Sequence, residues 1–544
     1  MTTHHNSPNK KDAAPSILGA AVLLGATALA SRVLGLIRDR MLAGTFGAGV
    51  DLDVYYAAFR IPDLIFSFLV LGALSAGFIP LFLRHYPNAP HKAWAFANNV
   101  LHLTGVALIV LSALGIAFAP WIMRFTAPGF SADLLVQATD ISRIMYLSTI
   151  LLGFSSVFGG ILQGLKRFTL YAIAPLFYNI GIIAGATAAF LYGWGIHAVA
   201  WGVVLGAFLH LLIQIIGSVR AGWRYGFVIR PQDTDVRELS TLMIPRVAGL
   251  ALSQVNLIVM TAIASLLSAG SVAIFHFANN IQYVPIGIVG ISFAIAAFPL
   301  LSEQARGDQQ EALRKTISET TRTILFLIVP LSVVFLLLRI QIVRVVLGAG
   351  AFGWNETIVT AHTIAFFVLS LFAQALIPLI VRLFFAWQNT LTPALIALVS
   401  AIINIGGAWM WSQSYGVVGI AMAFSLASIV QLVLLWALAT RKMGGLDEGR
   451  ILNSLITILI AAVMGGLMIQ AMKGLYEAVI PLTTFFGVLG QGLVAGIAGI
   501  SVYLLAAWIW QSPELEALWG SLQRKLFRRY RLSESADAAI ETSF

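Results

Sequence analysis

From residue 15 to residue 511 the chain is nearly filled by fourteen long apolar runs, counted on the rule that a helix crossing a bilayer needs about 20 mostly apolar residues. They fall at 15–44, 53–83, 93–122, 133–163, 170–192, 196–219, 237–267, 271–302, 312–339, 356–386, 391–412, 416–440, 451–474 and 479–511. Inside lipid no water can satisfy an open backbone, so a run of this length is expected to close its own hydrogen bonds as a helix. The predicted fold is all-α and polytopic, with about fourteen transmembrane helices. Only 10% of the residues are charged and 59% are hydrophobic, against roughly 25% charged in an ordinary soluble domain.

The formal net charge of +10 is carried mainly by short segments between the runs, where basic residues act as orientation signals. Alternate loops differ. One set holds Arg84, Lys92, Lys166, Arg167, Arg220, Arg224, Arg230, Arg441 and Lys442, and the other little beyond Arg124, Arg344 and Lys473. This asymmetry predicts a multi-pass inner-membrane protein with both termini cytoplasmic, and no basic domain or recognition motif points to nucleic acid. The first apolar run is too long for a signal-peptide core and reads as a retained span behind a polar tail, 1–14. With no cysteine in the sequence, disulfides, thiolate metal sites and cysteine nucleophiles are excluded. No cofactor motif, metal-ligand spacing or catalytic triad stands out, so no catalytic residue, metal or cofactor is expected. The segment 512–544, with Arg524, Lys525, Arg528, Arg529 and Arg531, reads as a basic amphipathic tail at the cytoplasmic surface.

The runs repeat. Arg32-Val33-Leu34-Gly35-Leu36 returns as Arg246-Val247-Ala248-Gly249-Leu250, Phe78-Ile79-Pro80-Leu81 returns more weakly as Ala297-Phe298-Pro299-Leu300, and Tyr192-Gly193 returns as Tyr415-Gly416. The spacing drifts only from 214 residues, between Arg32 and Arg246, to 224, between Ile196 and Ile420. The expected organisation is an N-lobe of helices 1–6 over 15–219, a C-lobe of helices 7–12 over 237–440, and an appended helix pair over 451–511. Two repeated lobes around a midplane site are a recurrent transporter design.

Charges inside the runs locate that site. An Arg, Lys or Asp near the centre of a membrane helix costs roughly 2.5 to 3.5 kcal/mol, so such residues face protein or a wet cavity. Arg32, Gly35 and Asp39 share one helical stripe, and Asp53, Tyr56, Arg60, Asp63 and Ser67 share another. Arg32, Arg38, Asp39, Asp53, Arg60 and Asp63 form the first candidate constellation. Arginine forks bind a phosphate bidentately and keep their charge, which suits a pyrophosphate or a carboxylate. The alternative is a set of buried pairs that only lock helices together, with Asp39 and Asp53 orienting the arginines. The second constellation is Arg246, Gly249, Ser253 and Asn256 on one stripe and His276, Asn280 and Tyr283 on another, with Asn279 and Gln282 adjacent, which the repeat places on the other lobe. Interhelical hydrogen bonding is the competing role for its amides, and His276 could couple a proton because imidazole titrates near neutral pH.

Asp51-Leu52-Asp53 has the form of a glycosyltransferase metal-binding acidic pair, but the large extracytoplasmic domain such enzymes carry is absent. The final helix pair, rich in Gly, Ala, Leu and Ile, offers either a groove for a lipid tail or a packing element.

Ser-Arg-Val-Leu-Gly-Leu-Ile-Arg-Asp (31–39), Phe-Gly-Ala-Gly (46–49), Asp-x-x-x-x-Ala-Phe-Arg-Ile-Pro (53–62), Gly-Ala-Leu-Ser-Ala-Gly-Phe-Ile-Pro (72–80) and Ala-Pro-Gly-Phe (127–130) resemble the MviN/MurJ-type lipid II flippases of the MOP exporter superfamily. The resemblance covers spans 1–12 in order. It implies two six-helix bundles, alternating access, a tail groove on the last two spans, and outward movement of the undecaprenyl-pyrophosphate-linked peptidoglycan precursor for cell wall synthesis and cell shape. Arg32, Arg38, Asp39 and Asp53 stand at that family's functional cavity charges, and Arg60 keeps a basic position. The chain also departs from the pattern. A basic doublet is replaced by Phe66-Ser67, an acidic residue by Leu71 and an arginine by Asn280, while Arg246 adds a cation where a small or apolar residue is expected.

The expected function is therefore that of a transporter, not an enzyme, acting on lipid II in the bilayer, with a coupling ion or the membrane potential as energy source. Flipping of another polyprenyl-linked saccharide, ion-coupled export of soluble compounds, and a non-transporting cell-wall scaffold are the alternatives.

Overall fold

The computed structural model describes residues 17–68, 77–307, 309–520 and 523, with the backbone alone for 17–22 and 244–252. The polar tail 1–14, Leu71 and the basic residues Arg524, Lys525, Arg528, Arg529 and Arg531 lie outside them. The described residues form helices and no strand. They sort into two compact units, one running to Ile274 and including Val346–Glu356, the other made of Phe275–Val345 and the chain from Thr357 onward.

In the first unit the helices are α1 (Ile17–Phe46), α2 (Val50–Phe66), α3 (Ile79–His85), α4 (Pro90–Thr126), α5 (Ala132–Gly164), α6 (Phe168–Tyr192), α7 (Gly195–Arg220), α8 (Thr234–Ser265) and the first turn of α9 (Ser271–Pro285). Helix α5 is the hub, packed by α2, α4 and α7, while α6 lies against both α1 and α7. Small residues set the α6–α7 spacing: a Cβ on Gly181 would collide with the backbone of Gly206, the close approach that membrane helices use in place of a hydrophobic driving force.

Between α7 and α8 an extended strap is fastened to α4 by side chains. Asn98 Nδ2 donates to Arg224 O at 2.9 Å, and Asn99 both donates to Arg230 O at 3.0 Å and accepts from Arg230 N at 2.8 Å. The start of α8 is then clamped to α3 by Arg84 with Glu238 at 2.8 Å and His85 with Asp235 at 2.8 Å. Helix α8, expected from the sequence to open the C-lobe, packs on α2 and α4 of the first unit.

The segment Val346–Glu356 closes on the end of α1. Ala351 N donates to Gly44 O at 2.8 Å. Gly350, at φ +48°, sits where a Cβ would strike the Gly44 carbonyl, so both the backbone conformation and the space call for glycine.

The second unit continues α9 through a π-helical turn, Ile286–Ile291, into α10 (Ser292–Arg306), then α11 (Gln310–Leu337), α12 (Arg339–Val346), α13 (Trp354–Val368), α14 (Leu371–Ala386), α15 (Leu391–Tyr415), α16 (Val417–Met443), α17 (Glu448–Glu477) and α18 (Phe485–Ile509). Helix α14 is its hub, touching α10, α11 and α16, and α17 with α18 packs on α11. The span expected at 356–386 is two helices, α13 and α14, bent by 45°. The bend is tolerable in lipid because side chains take up carbonyl groups freed by the break: Ser370 Oγ and Gln374 Nε2 both donate to Phe367 O. The short helix α12 has eight residues, two of them arginines, and falls below any length-based test for a span.

Among the described residues ten helices are long and apolar enough to cross a membrane, or eleven with the bent pair taken as one span. Helices α1, α2 and α8 are not among them. Two of these, α1 and α2, carry the charges of the first constellation, and the part of α8 from Ser253 to Ser265 is a shorter apolar helix.

Candidate functional site

The charges of α1 and α2 meet three different fates. Arg38 is a partner of its neighbour: Nε and Nη2 donate to Asp39 Oδ1 at 3.0 and 2.8 Å, and Nη1 donates to Asn179 Oδ1 of α6 at 3.1 Å. Asn179 is held in turn by donating to Pro175 O at 3.2 Å and Ser31 Oγ at 3.3 Å. Arg38 and Asp39 thus join α1 to α6 as a locked pair.

Asp53 is 4% exposed and accepts from Gly270 N at 2.6 Å and Ala273 N at 2.8 Å. These are amides at the start of α9, which leaves its first N–H groups without helical partners. A carboxylate placed there satisfies them and complements the helix dipole. Arg60, buried on α2, donates from Nε to Thr261 Oγ1 of α8 at 2.8 Å, and Gln254 Nε2 of α8 donates to Ser67 Oγ at 2.8 Å and Asp63 Oδ2 at 3.4 Å. The α2 stripe expected from spacing therefore faces α8. Asp51, two residues before Asp53, turns instead to Gln137 Nε2 at 3.4 Å, so the Asp-x-Asp pair does not act as one group.

Arg32 differs from these. It is exposed and makes no ion pair among the described residues. It borders a cavity of about 540 Å³ enclosed by α1, α2, α5, α6 and α7, within the roughly 300–1,000 Å³ range of ligand pockets. Ser155 and Gln163 of α5, Tyr171 of α6, and His210 and Gln214 of α7 supply its polar wall. Ser155 Oγ lies 2.7 Å from His210 Nδ1, while Gln214, 1% exposed, has a buried Oε1 with no hydrogen-bond partner among the described residues. A second cavity of about 260 Å³, bordered by Asp63, Thr149 and Tyr178, shares His210, Phe66, Ser156 and Pro175 with the first.

The remaining expected residues are separate. The side chain of Arg246 lies outside the described residues, although its backbone belongs to α8. His276 and Asn280 are half-buried on α9 in the second unit. Nearby, Gln282 Nε2 donates to Asn279 Oδ1 at 3.1 Å, Gln374 Nε2 donates to Gln282 Oε1 at 3.0 Å and Ser370 Oγ at 2.9 Å, and Ser370 meets Ser425 at 2.9 Å. This chain of neutral groups ties α9 to α14 and α16, the interhelical role weighed for the amides.

The cavity wall went unassigned in the sequence, yet it left a signal there. Ser155, Gly159 and Gln163 recur every four residues on α5, and His210 and Gln214 do so on α7, which places each set on one face.

The family described as lipid II flippase MurJ matches residues 42–489 of this chain. A probable lipid II flippase MurJ of Rhizobium meliloti (strain 1021) is 29% identical over 537 residues, covering 96% of this chain and 99% of that protein. Among solved structures, a lipid II flippase MurJ in an inward closed conformation aligns with a TM-score of 0.75 at 23% identity, over 90% of this chain and 98% of that one. An inward-facing multidrug resistance MATE family transporter of the MOP superfamily aligns at 0.64 and 14% identity, over 79% of this chain and 99% of that one. These two likenesses concern the fold.

Proposed function

The chain belongs to the lipid II flippase MurJ family, and we propose that it carries lipid II from the cytoplasmic to the outer leaflet of the bacterial inner membrane by alternating access, supplying the peptidoglycan precursor for cell wall synthesis. The observation that carries this reading is Arg32, an exposed guanidinium bordering a ligand-sized cavity. A lipid diphosphate brings the charge that such a residue can receive.

In this reading Arg32 takes the diphosphate first, and Arg38, Arg60 and Arg246 add to the positive field. Asp39 orients Arg38, Asp53 holds the start of α9, and His276 and Asn280 are substrate-contacting groups of the second repeat. The prenyl tail stays in lipid along α17 and α18. Helices α1, α2 with α3, and α8 join the ten apolar helices and the bent pair to make fourteen spans. We assign 15–219 and 237–440 as the two repeated lobes and both termini to the cytoplasm. An excess of cations in the empty site would couple transport to the membrane potential, at about 2.3 kcal/mol per charge per 100 mV.

The test is rescue of a bacterium depleted of its own lipid II flippase, scored by the lipid II that becomes reachable by an enzyme acting only outside the membrane. Exposure is expected with the wild-type chain and is expected to be lost with Arg32→Ala at equal membrane abundance. No exposure from wild-type protein shown to be in the membrane overturns the reading.

A further inference from the structure

We propose that the cavity behind Arg32 is a saccharide subsite, which receives a sugar of the head group while the diphosphate stays with Arg32. The inference rests on the flippase reading and adds to it where within the first unit the sugar is held. Three observations carry it. The cavity, about 540 Å³, has the size of a small-ligand pocket.

Its polar wall is nearly neutral: past Arg32 come the amides of Gln163 and Gln214, the Ser155 hydroxyl, the His210 imidazole and the Tyr171 ring. Such a wall both donates and accepts, as a polyhydroxylated ligand requires, and among the described residues it has no second arginine to clamp a phosphate.

The third observation separates the candidate ligands. Gln214 is 1% exposed and its Oε1 is buried with no partner among the described residues, an arrangement that is unfavourable unless something donates to it. An ionised diphosphate offers only acceptors, and a prenyl chain offers neither donor nor acceptor. Gln214 lines the cavity, and a rotation of its amide toward that space would let a sugar hydroxyl or an N-acetyl amide N–H donate to the oxygen. His210 is fixed by Ser155 through Nδ1 at 2.7 Å, leaving Nε2 for a second hydroxyl.

The experiment uses the full chain in lipid nanodiscs and two probes, lipid II and undecaprenyl diphosphate, which differ in the presence of the saccharide and its peptide. Gln214→Met and Gln163→Met keep side-chain length and remove the amide. Gln163 is half-buried and its amide has only a 3.4 Å contact with Gly159 O, so its replacement leaves the fold intact even if Gln214→Met does not. Each variant is expected to weaken lipid II binding by about tenfold, a loss of about 1.4 kcal/mol, and to leave undecaprenyl diphosphate within about twofold. Arg32→Ala is expected to weaken both probes.

Equal losses for the two probes, or no loss in either methionine variant, overturn the subsite. Failure of the wild-type chain to expose lipid II in the depleted bacterium removes the flippase reading itself. Normal exposure together with insensitive methionine variants removes only the subsite.

Discussion

Replacing Asp53 by Asn should destabilise the protein by loosening the start of α9. The carboxylate accepts two backbone N–H groups, at 2.6 and 2.8 Å, in a site where the residue is 4% exposed. A hydrogen bond to a charged group contributes about 1.5–3 kcal/mol, and a negative charge at a helix N-terminus adds about 0.3–1 kcal/mol. Asparagine keeps one oxygen, so one amide retains a weaker, neutral bond while the other faces an NH₂ group that can only donate. The expected loss is about 2–4 kcal/mol. At roughly 2 °C per kcal/mol for a large body, the thermal midpoint should fall by about 4–8 °C. The assay is thermal unfolding of purified protein at a fixed scan rate, with Asp51→Asn as the neighbouring control. Asp51 has only a 3.4 Å contact with Gln137, and its replacement should shift the midpoint by about 1 °C or less. If Asp53→Asn unfolds where the wild type and Asp51→Asn do, the carboxylate does not hold α9.

Three further substitutions probe other joints. Gly181→Leu should separate α6 from α7, because even a Cβ there meets the Gly206 backbone; reduced membrane abundance and a lowered thermal midpoint are the readouts. Tyr503→Phe removes a 2.7 Å hydrogen bond to Phe326 O and should lower stability by about 0.6 kcal/mol, the usual worth of such a bond in a membrane protein. Glu514 opposes burial with hydrogen bonds from Ser512 and Ser454 and with Arg322 at 2.8 Å, which together hold its carboxyl below the usual range. A lowered folded value means that its stabilisation is complete above the ordinary carboxylate pKa and is lost as pH falls through the folded one. Residues 513–520 should therefore become more open to an acid-active protease as pH drops below about 4, and Glu514→Gln should show the same opening to a protease active at neutral pH.

Helices were legible because lipid leaves a long apolar run a single backbone solution, and the expected runs at 391–412 and 416–440 reappear as α15 and α16 with ends shifted by a few residues. The bend between α13 and α14 was hidden because its cause is tertiary. Ser370 joins Ser425 while Gln374 joins Gln282, and neither partner is adjacent in sequence. The charged residues show the same division. Spacing identified Asp53 as a costly charge within an apolar stretch, but its partner amides lie 217 and 220 residues away, and no local pattern points to them.

What each charge does follows from what meets it. A charge inside a membrane helix must be answered by protein, water or substrate. Asp39 and Asn179 answer Arg38, two amides of α9 answer Asp53, and Thr261 contributes to Arg60. Arg32 stands exposed at the edge of a cavity with no ion pair among the described residues. The motif that spacing presents as a single cluster of charges is thus, among the described residues, a set of helix joints beside the exposed Arg32. On the proposed reading, Phe66, Ser67 and Asn280 can stand where the family resemblance leads one to expect charges, because Arg32, on a different helix from any of them, still borders the cavity.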